Sequence, residues 1–219
     1  LCFSSPFDDT AVDFLEELNV PAYKIASPEI IHLPLIKKVA STGKPIIIST
    51  GMASVTEIEE AVLVAREAGC SQLVLLKCTS SYPAPPNNSN VKTIPEMIKK
   101  FKCEIGLSDH TLGIGAALSA IAHGATVIEK HFTLNRKDGG VDSAFSLEPD
   151  EMKLLVKESE IAWRSVGKIK YGPTKIEKNS MIFRRSLYVC QNIKKGESFS
   201  KENLRIIRPG NGVKPKFYD

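Results

Sequence analysis

No apolar run in this sequence approaches the roughly 20 residues a helix needs to cross a bilayer, and no charged-then-apolar leader opens it, so no membrane role is expected. Lysine and arginine form no block. The net charge of +4 therefore reads as a solvated surface, which argues against nucleic-acid binding but still suits a small anionic substrate. The five cysteines, at 2, 70, 78, 103 and 190, have no CxxC spacing and an odd count, which argues against a disulfide framework and for reduced thiols in a cytoplasmic protein. A dinucleotide fingerprint is missing too. So is an initiator methionine: the chain opens on Leu1 inside a strand-like run and stops at KPKFYD without a terminating element, so a fragment cut at both ends is expected.

What is there is an ordinary globular composition, 42% apolar and 25% charged, with room for a sizeable core and two domains. Short apolar runs alternate with amphipathic ones. The strand-like runs are LCFSS, AYKIAS, PIIIST, LVLLKCTSS, EIGLSDH and TVIEKHFT. Ala11, Phe14, Leu15 and Leu18 share one helical face, a helix over about 34–41 follows, and Ser54 with Glu57 forms a capping box before Ile58, Ala61, Val62 and Ala65. Thr93 and Glu96 open another helix, and a Gly/Ala helix spans 113–124. Strands separated by helices predict a parallel sheet covered by helices, and successive βα units favour a TIM (β/α)8 barrel over a doubly wound sheet. Two units are missing from that count and would precede Leu1. The expected domains are a partial barrel over 1–166, a polar linker over 167–183, and a small β-rich module over 184–219 in which SKENL is a short helix.

Polar residues gather where the strands end: Ser4 and Ser5, Lys24 and Ser27, Ser49 and Thr50, Thr79 to Ser81, Ser108 to His110, Glu129 to His131. The carboxyl ends of parallel strands form one rim, where active sites sit. Singly, each Ser or Thr is a turn former or helix cap, and each histidine a structural residue. Together, hydroxyls and one lysine suit a phosphate or carboxylate. Lys24 also admits two other readings, a snorkelling surface lysine or the Schiff-base lysine of an aldolase. Lys77 and Lys130 are expected to face the helices. His110 and His131, on neighbouring strand ends, suit an open, partly hydrated divalent ion such as Mn²⁺, with Asp109 and Glu129 placed to hold the ligands or position a water.

The strings FSSPFD, YKIASPE, PIIISTGMAS, LLKCTSSYPAP, GLSDHTLG, IEKHFTL and RSLYV…IKKGE…RPGNG resemble the sialic acid synthase family, along nearly the whole chain. Within it, LCFSSPF, LLKCTSSYP, GGVDSAFSLEP and KPKFYD are closer to pseudaminic acid synthases than to N-acetylneuraminate synthases, with N-acetylneuraminate or legionaminic acid synthase as the alternative. The resemblance implies a TIM barrel followed by a truncated SAF (antifreeze-like) domain, and a swapped homodimer. It implies condensation of phosphoenolpyruvate with an N-acetylated amino sugar by a transferase that releases phosphate, with Mn²⁺ or Mg²⁺ as the divalent metal.

By motif, Ser5, Lys24, Ser27, Ser49, Ser80 and Ser108 would bind phosphoenolpyruvate, with Ser80 at a position that is Asn in some members. Tyr82 and Arg208 would contact the sugar, His110 and His131 would ligate the metal, and Glu29, Glu129 and Asp142 would surround the reacting carbons, Glu29 or Glu129 moving the protons. A further lysine and a catalytic glutamate of the family fall before Leu1, so the chain by itself is expected to be inactive and the parent gene product active. Two other classes stay open: a Schiff-base aldolase working through Lys24, and a non-catalytic sugar-binding protein.

Overall fold

A computed structural model describes residues 1–218, which separate into two compact units, Leu1–Gly167 and the residues from Lys168 onward. In the first unit, five parallel strands lie side by side in chain order: β1 (Tyr23–Ile25), β2 (Ile46–Ser49), β3 (Leu73–Cys78), β4 (Glu104–Asp109) and β5 (Val127–Lys130). Helices α1 (Asp9–Glu17), α2 (Leu33–Ser41), α3 (Val55–Glu67), α4 (Thr93–Phe101), α5 (Gly115–Ala122) and α6 (Pro149–Val166) alternate with them. The result is a parallel α/β half-barrel.

The core forms between the helices and one face of the sheet. Tyr23, Ile25, Ile46, Ile48, Leu75 and Ile105 are at most 1% exposed and pack with Leu35, Ile36, Val39 and Ile94 from the helices. Each such side chain contributes about 1.5–3 kcal/mol on burial. Because strand side chains alternate, Lys24, Ser49, Cys78, Ser108 and Glu129 fall on the opposite face. That face therefore carries a row of polar strand-end groups, while Lys77, Asp109 and Lys130 end their strands on the helix side.

Helix α3 starts as its sequence dictates. Ser54 Oγ accepts from Glu57 N while Glu57 Oε2 accepts from Ser54 N, and Ile58, Ala61, Val62 and Ala65 are all buried. Other expectations needed correction. LCFSS is not a strand: Ser4 O accepts one bond, from Lys24 N, which is too little for a ladder. In α1 the buried positions are Val12 and Leu15, whereas Phe14 and Leu18 are 58% and 60% exposed. Tyr23 Oη donates to Glu16 Oε1 and Val12 O, turning the 12–16 stripe inward. Helix α4 begins at Thr93, but no side chain caps it.

In the second unit, β6 (Ser186–Val189) and β7 (Leu204–Ile207) form an antiparallel pair. A 3-10 helix, Ile176–Phe183, precedes them. SKENL is a turn rather than a helix: Asn203 Oδ1 takes the Ser200 N–H and its Nδ2 donates to Ser198 O, and the backbone closes one turn, Leu204 N to Ser200 O, before β7 begins. Among the described residues no helix is long and apolar enough to cross a membrane, and all five cysteines are free.

Candidate active site

Three groups of side chains meet on the helix-free face of the half-barrel. In the first, Lys24 Nζ lies 3.5 Å from Glu129 Oε2, and Ser108 Oγ donates to Glu129 Oε1 at 2.6 Å. Lys24 and Ser108 are largely buried, while Glu129 is 41% exposed. One cation and one hydroxyl thus converge on a carboxylate.

In the second group, Ser27 Oγ accepts from Gly51 N at 3.0 Å, and Cys78 Sγ lies 3.9 Å from Ser80 Oγ and 4.0 Å from His110 Nδ1. Gly51 is required here. A Cβ at that position would overlap Ser80 Oγ and stand 2.8 Å from Ser27 Oγ and 3.2 Å from Cys78 Sγ. Nearby strand-end groups are left unpaired: Ser49 Oγ and Glu29 Oε2 are buried with no hydrogen-bond partner among the described residues. Such an orphan costs about 1–3 kcal/mol, so polar atoms left open at a rim point to a ligand that completes them.

The third group is aromatic. The rings of His110 and His131 stand 5.2 Å apart, Tyr82 lies 4.4 Å from His110, and Phe145 lies 5.0 Å from His131. His110 Nδ1 is 2.9 Å from Thr79 O; a carbonyl only accepts, so the proton sits on Nδ1 and Nε2 keeps a free lone pair. His131 Nδ1 is 3.7 Å from Asp142 Oδ2. Among the described residues no three His, Cys, Asp or Glu side chains are arranged to hold a metal ion together. Two imidazoles, one held by a carbonyl and one facing a carboxylate, fit an open divalent-ion site with oxygen ligands from water or substrate, and do not fit a closed structural zinc site.

The electrostatics differ between the two rings. Burial lowers the pKa of His110, but Cys78 and the Thr79 carbonyl outweigh it and leave the ring above its ordinary value. Burial and the neighbouring His110 hold His131 below it. Burial pushes the Cys78 thiol up, yet hydrogen bonds with His110, Ser27 and Ser80 bring it down to about 7.

Most of the residues expected at the rim are therefore on one face. Ser5 is half-buried in the segment beside β1, and Asp142 takes a left-handed backbone (φ 66°) in the loop after β5. Arg208 is exposed in the second unit, at the end of β7. Asp109 is turned away: its Oδ2 takes Lys130 Nζ at 2.8 Å and its Oδ1 the Thr111 N–H at 2.9 Å, so it neither holds a histidine nor positions a water. Sequence reasoning missed Gly51, Cys78, the Thr79 carbonyl and Phe145. Cys78 was visible only as the residue preceding a polar strand end, and a backbone carbonyl leaves no mark in sequence.

The model of the NeuB family matches residues 1–171. The chain is 45% identical to the N,N'-diacetyllegionaminic acid synthase of Campylobacter jejuni over 99% of its length and 66% of that protein's. It is 43% identical to the pseudaminic acid synthase of the same organism, over 100% of its length and 64% of that protein's. It thus spans less than two thirds of the length of these curated relatives. The crystal structure of the N-acetylneuraminic acid (sialic acid) synthetase from Leptospira borgpetersenii, in complex with citrate, is similar with a TM-score of 0.76 at 37% identity, covering 81% of this chain and 62% of that one. On the family match and these identities, the chain belongs to the NeuB family of sialic acid synthases.

Proposed function

We propose that the full-length protein condenses phosphoenolpyruvate with an N-acetylated amino sugar of the pseudaminic acid type and releases phosphate. The observation that carries this reading is the convergence of Lys24, Ser108, Ser27 and the unpaired Ser49 Oγ on one face, beside the two histidines. A cation with several neutral donors matches a phosphate and a carboxylate on one small molecule.

In this reading Lys24 and the serines hold phosphoenolpyruvate with C3 towards the sugar aldehyde. Tyr82 and Phe145 wall the sugar's side, and Arg208 reaches the N-acetyl group in a homodimer whose SAF domain comes from the partner subunit. His110 and His131 would hold a divalent cation, Mn²⁺ or Mg²⁺, which supplies charge stabilisation at the aldehyde oxygen. As C3 attacks the aldehyde, water adds to C2, and Glu129 or Glu29 takes the proton that water loses. The same carboxylate gives that proton to the alkoxide formed from the aldehyde, and the C2 hydroxyl then collapses to the ketone as its C–O bond to phosphate breaks, its proton leaving with the phosphate. Asp142, close to His131, orients that ring.

The test is phosphate release by the full-length protein with Mn²⁺, phosphoenolpyruvate and a panel of N-acetylated hexoses. Release only with a pseudaminic-type precursor is expected; no release with any sugar overturns the reading. A second reading, a legionaminic-type precursor, is favoured by the 45% identity to the legionaminic acid synthase, and the same panel separates the two.

A further inference from the structure

The buried ion pair of Asp109 and Lys130 has no part in the chemistry above. We propose that it is a positioning device that fixes the separation of His110 and His131 and thereby sets the affinity of the site for a divalent cation. The inference rests on the reading that these two histidines hold such a cation.

Asp109 and Lys130 are directly paired in the β4–β5 register, at the last rung of that ladder, and each immediately precedes one of the histidines. The histidines thus lie one step beyond the regular pairing, where the ladder no longer sets their spacing. Lys130 Nζ bonds Asp109 Oδ2 at 2.8 Å and also donates to Thr111 O, while Asp109 Oδ1 accepts from Thr111 N at 2.9 Å. This closed set of bonds ties the residue before His110, the residue after it and the residue before His131. Along its length β5 pairs with β4, and just beyond it a single bridge joins Phe132 to Leu147, so the tie adds to few fixed contacts there.

Stability alone does not account for the pair. Both side chains are almost fully buried, 2% and 1% exposed, on the helix-facing side of the sheet. The other residues on that side of β4 and β5 are Ile105, Leu107 and Ile128, so the layer ordinarily takes aliphatic side chains. Removing two charges from water costs several kcal/mol per ion, and an apolar pair of similar volume is often as stable or more so. What the charged pair adds is direction: an ammonium with fixed acceptors holds two strands at one distance, which aliphatic contact does not.

The test measures Mn²⁺ binding to the full-length protein by the loss of the free-ion EPR signal, alongside the thermal midpoint. The variants are Lys130→Met, the double variant Asp109→Leu/Lys130→Met, Asp109→Asn and His110→Ala. Disturbing residues that orient metal ligands weakens metal binding about 10- to 100-fold, and that loss is expected for Lys130→Met and for the double variant. The double variant regains the parent's midpoint but not its affinity. Parent-like affinity in the double variant overturns the inference and leaves the pair a purely structural one. If the double variant does not fold, Asp109→Asn, which keeps the Thr111 bond and removes the charge, decides the matter by the same criterion. A parent that binds no Mn²⁺, or a His110→Ala variant that binds it as tightly as the parent, overturns the metal reading itself and the inference with it.

Discussion

Ser108 Oγ and Glu129 Oε1 are 2.6 Å apart across a directly paired rung of β4 and β5, and the same carboxylate reaches Lys24. The two donors best placed to receive a substrate anion are therefore engaged by an internal one. On the proposed function, phosphoenolpyruvate would have to displace Glu129 before Lys24 and Ser108 are free to bind it.

Glu129→Gln removes that competition. Because Glu129 is well exposed, its pairing with Lys24 is a solvent-screened one, worth about 0.2–1 kcal/mol. The concentration of phosphoenolpyruvate that half-saturates the full-length enzyme is expected to fall by up to about fivefold, with kcat reduced if Glu129 also moves the protons. Isothermal titration with phosphoenolpyruvate reads the first effect separately from turnover; weaker binding would contradict the displacement argument.

Gly51→Ala places a methyl group among Ser27, Ser80 and Cys78. Overpacking of this kind costs about 1–3 kcal/mol, and the Oγ atoms that must move are those expected to bind the substrate. A lower thermal midpoint together with a KM for phosphoenolpyruvate raised at least tenfold is the expected outcome. A change in midpoint alone would show that the cradle tolerates a side chain.

Acidification should loosen α1 through Glu16. Its carboxyl is held below the usual 4.5 by hydrogen bonds with Lys44 and Tyr23, which outweigh burial. A depressed carboxylate contributes stability that is fully present above its unfolded value and is lost as pH falls through its folded one. The midpoint difference between parent and Glu16→Gln is therefore expected at pH 7, should shrink as pH falls below 4.5, and should vanish once the pH lies below the depressed folded value. A difference independent of pH would remove Glu16 as the cause.

Ser54→Ala breaks the capping box of α3, which is exposed at its polar end and buried along its inner stripe. A loss of about 1 kcal/mol is expected, read from denaturant unfolding with activity unchanged.

The capping box of α3, the five strands from AYKIAS to TVIEKHFT and the polar strand ends were legible in sequence because each is a local pattern with its own period. Ser54 and Glu57 are three residues apart, and both the cap and the four buried residues of α3 follow from that spacing. The facing of α1 was not legible, since Val12 and Phe14 compete as anchors and the decision comes from Tyr23, on the following strand. Lys130 was placed correctly on the helix side, but nothing in the sequence pairs it with Asp109, 21 residues away. The roles of Gly51 and Cys78 also depend on neighbours that only the folded sheet brings together.

The parallel register places Ser108 opposite Glu129 and Asp109 opposite Lys130, so SDH and EKH are each divided residue by residue between two faces. Deleting or inserting one residue in either strand would invert that division, sending the histidine into the helix layer and a buried charge into the open face. Substitutions along these two segments degrade the site by degrees, but a change of length abolishes it at once. Length variation between the two strands is therefore confined to the connection through α5, where added residues leave the phase of both strands intact.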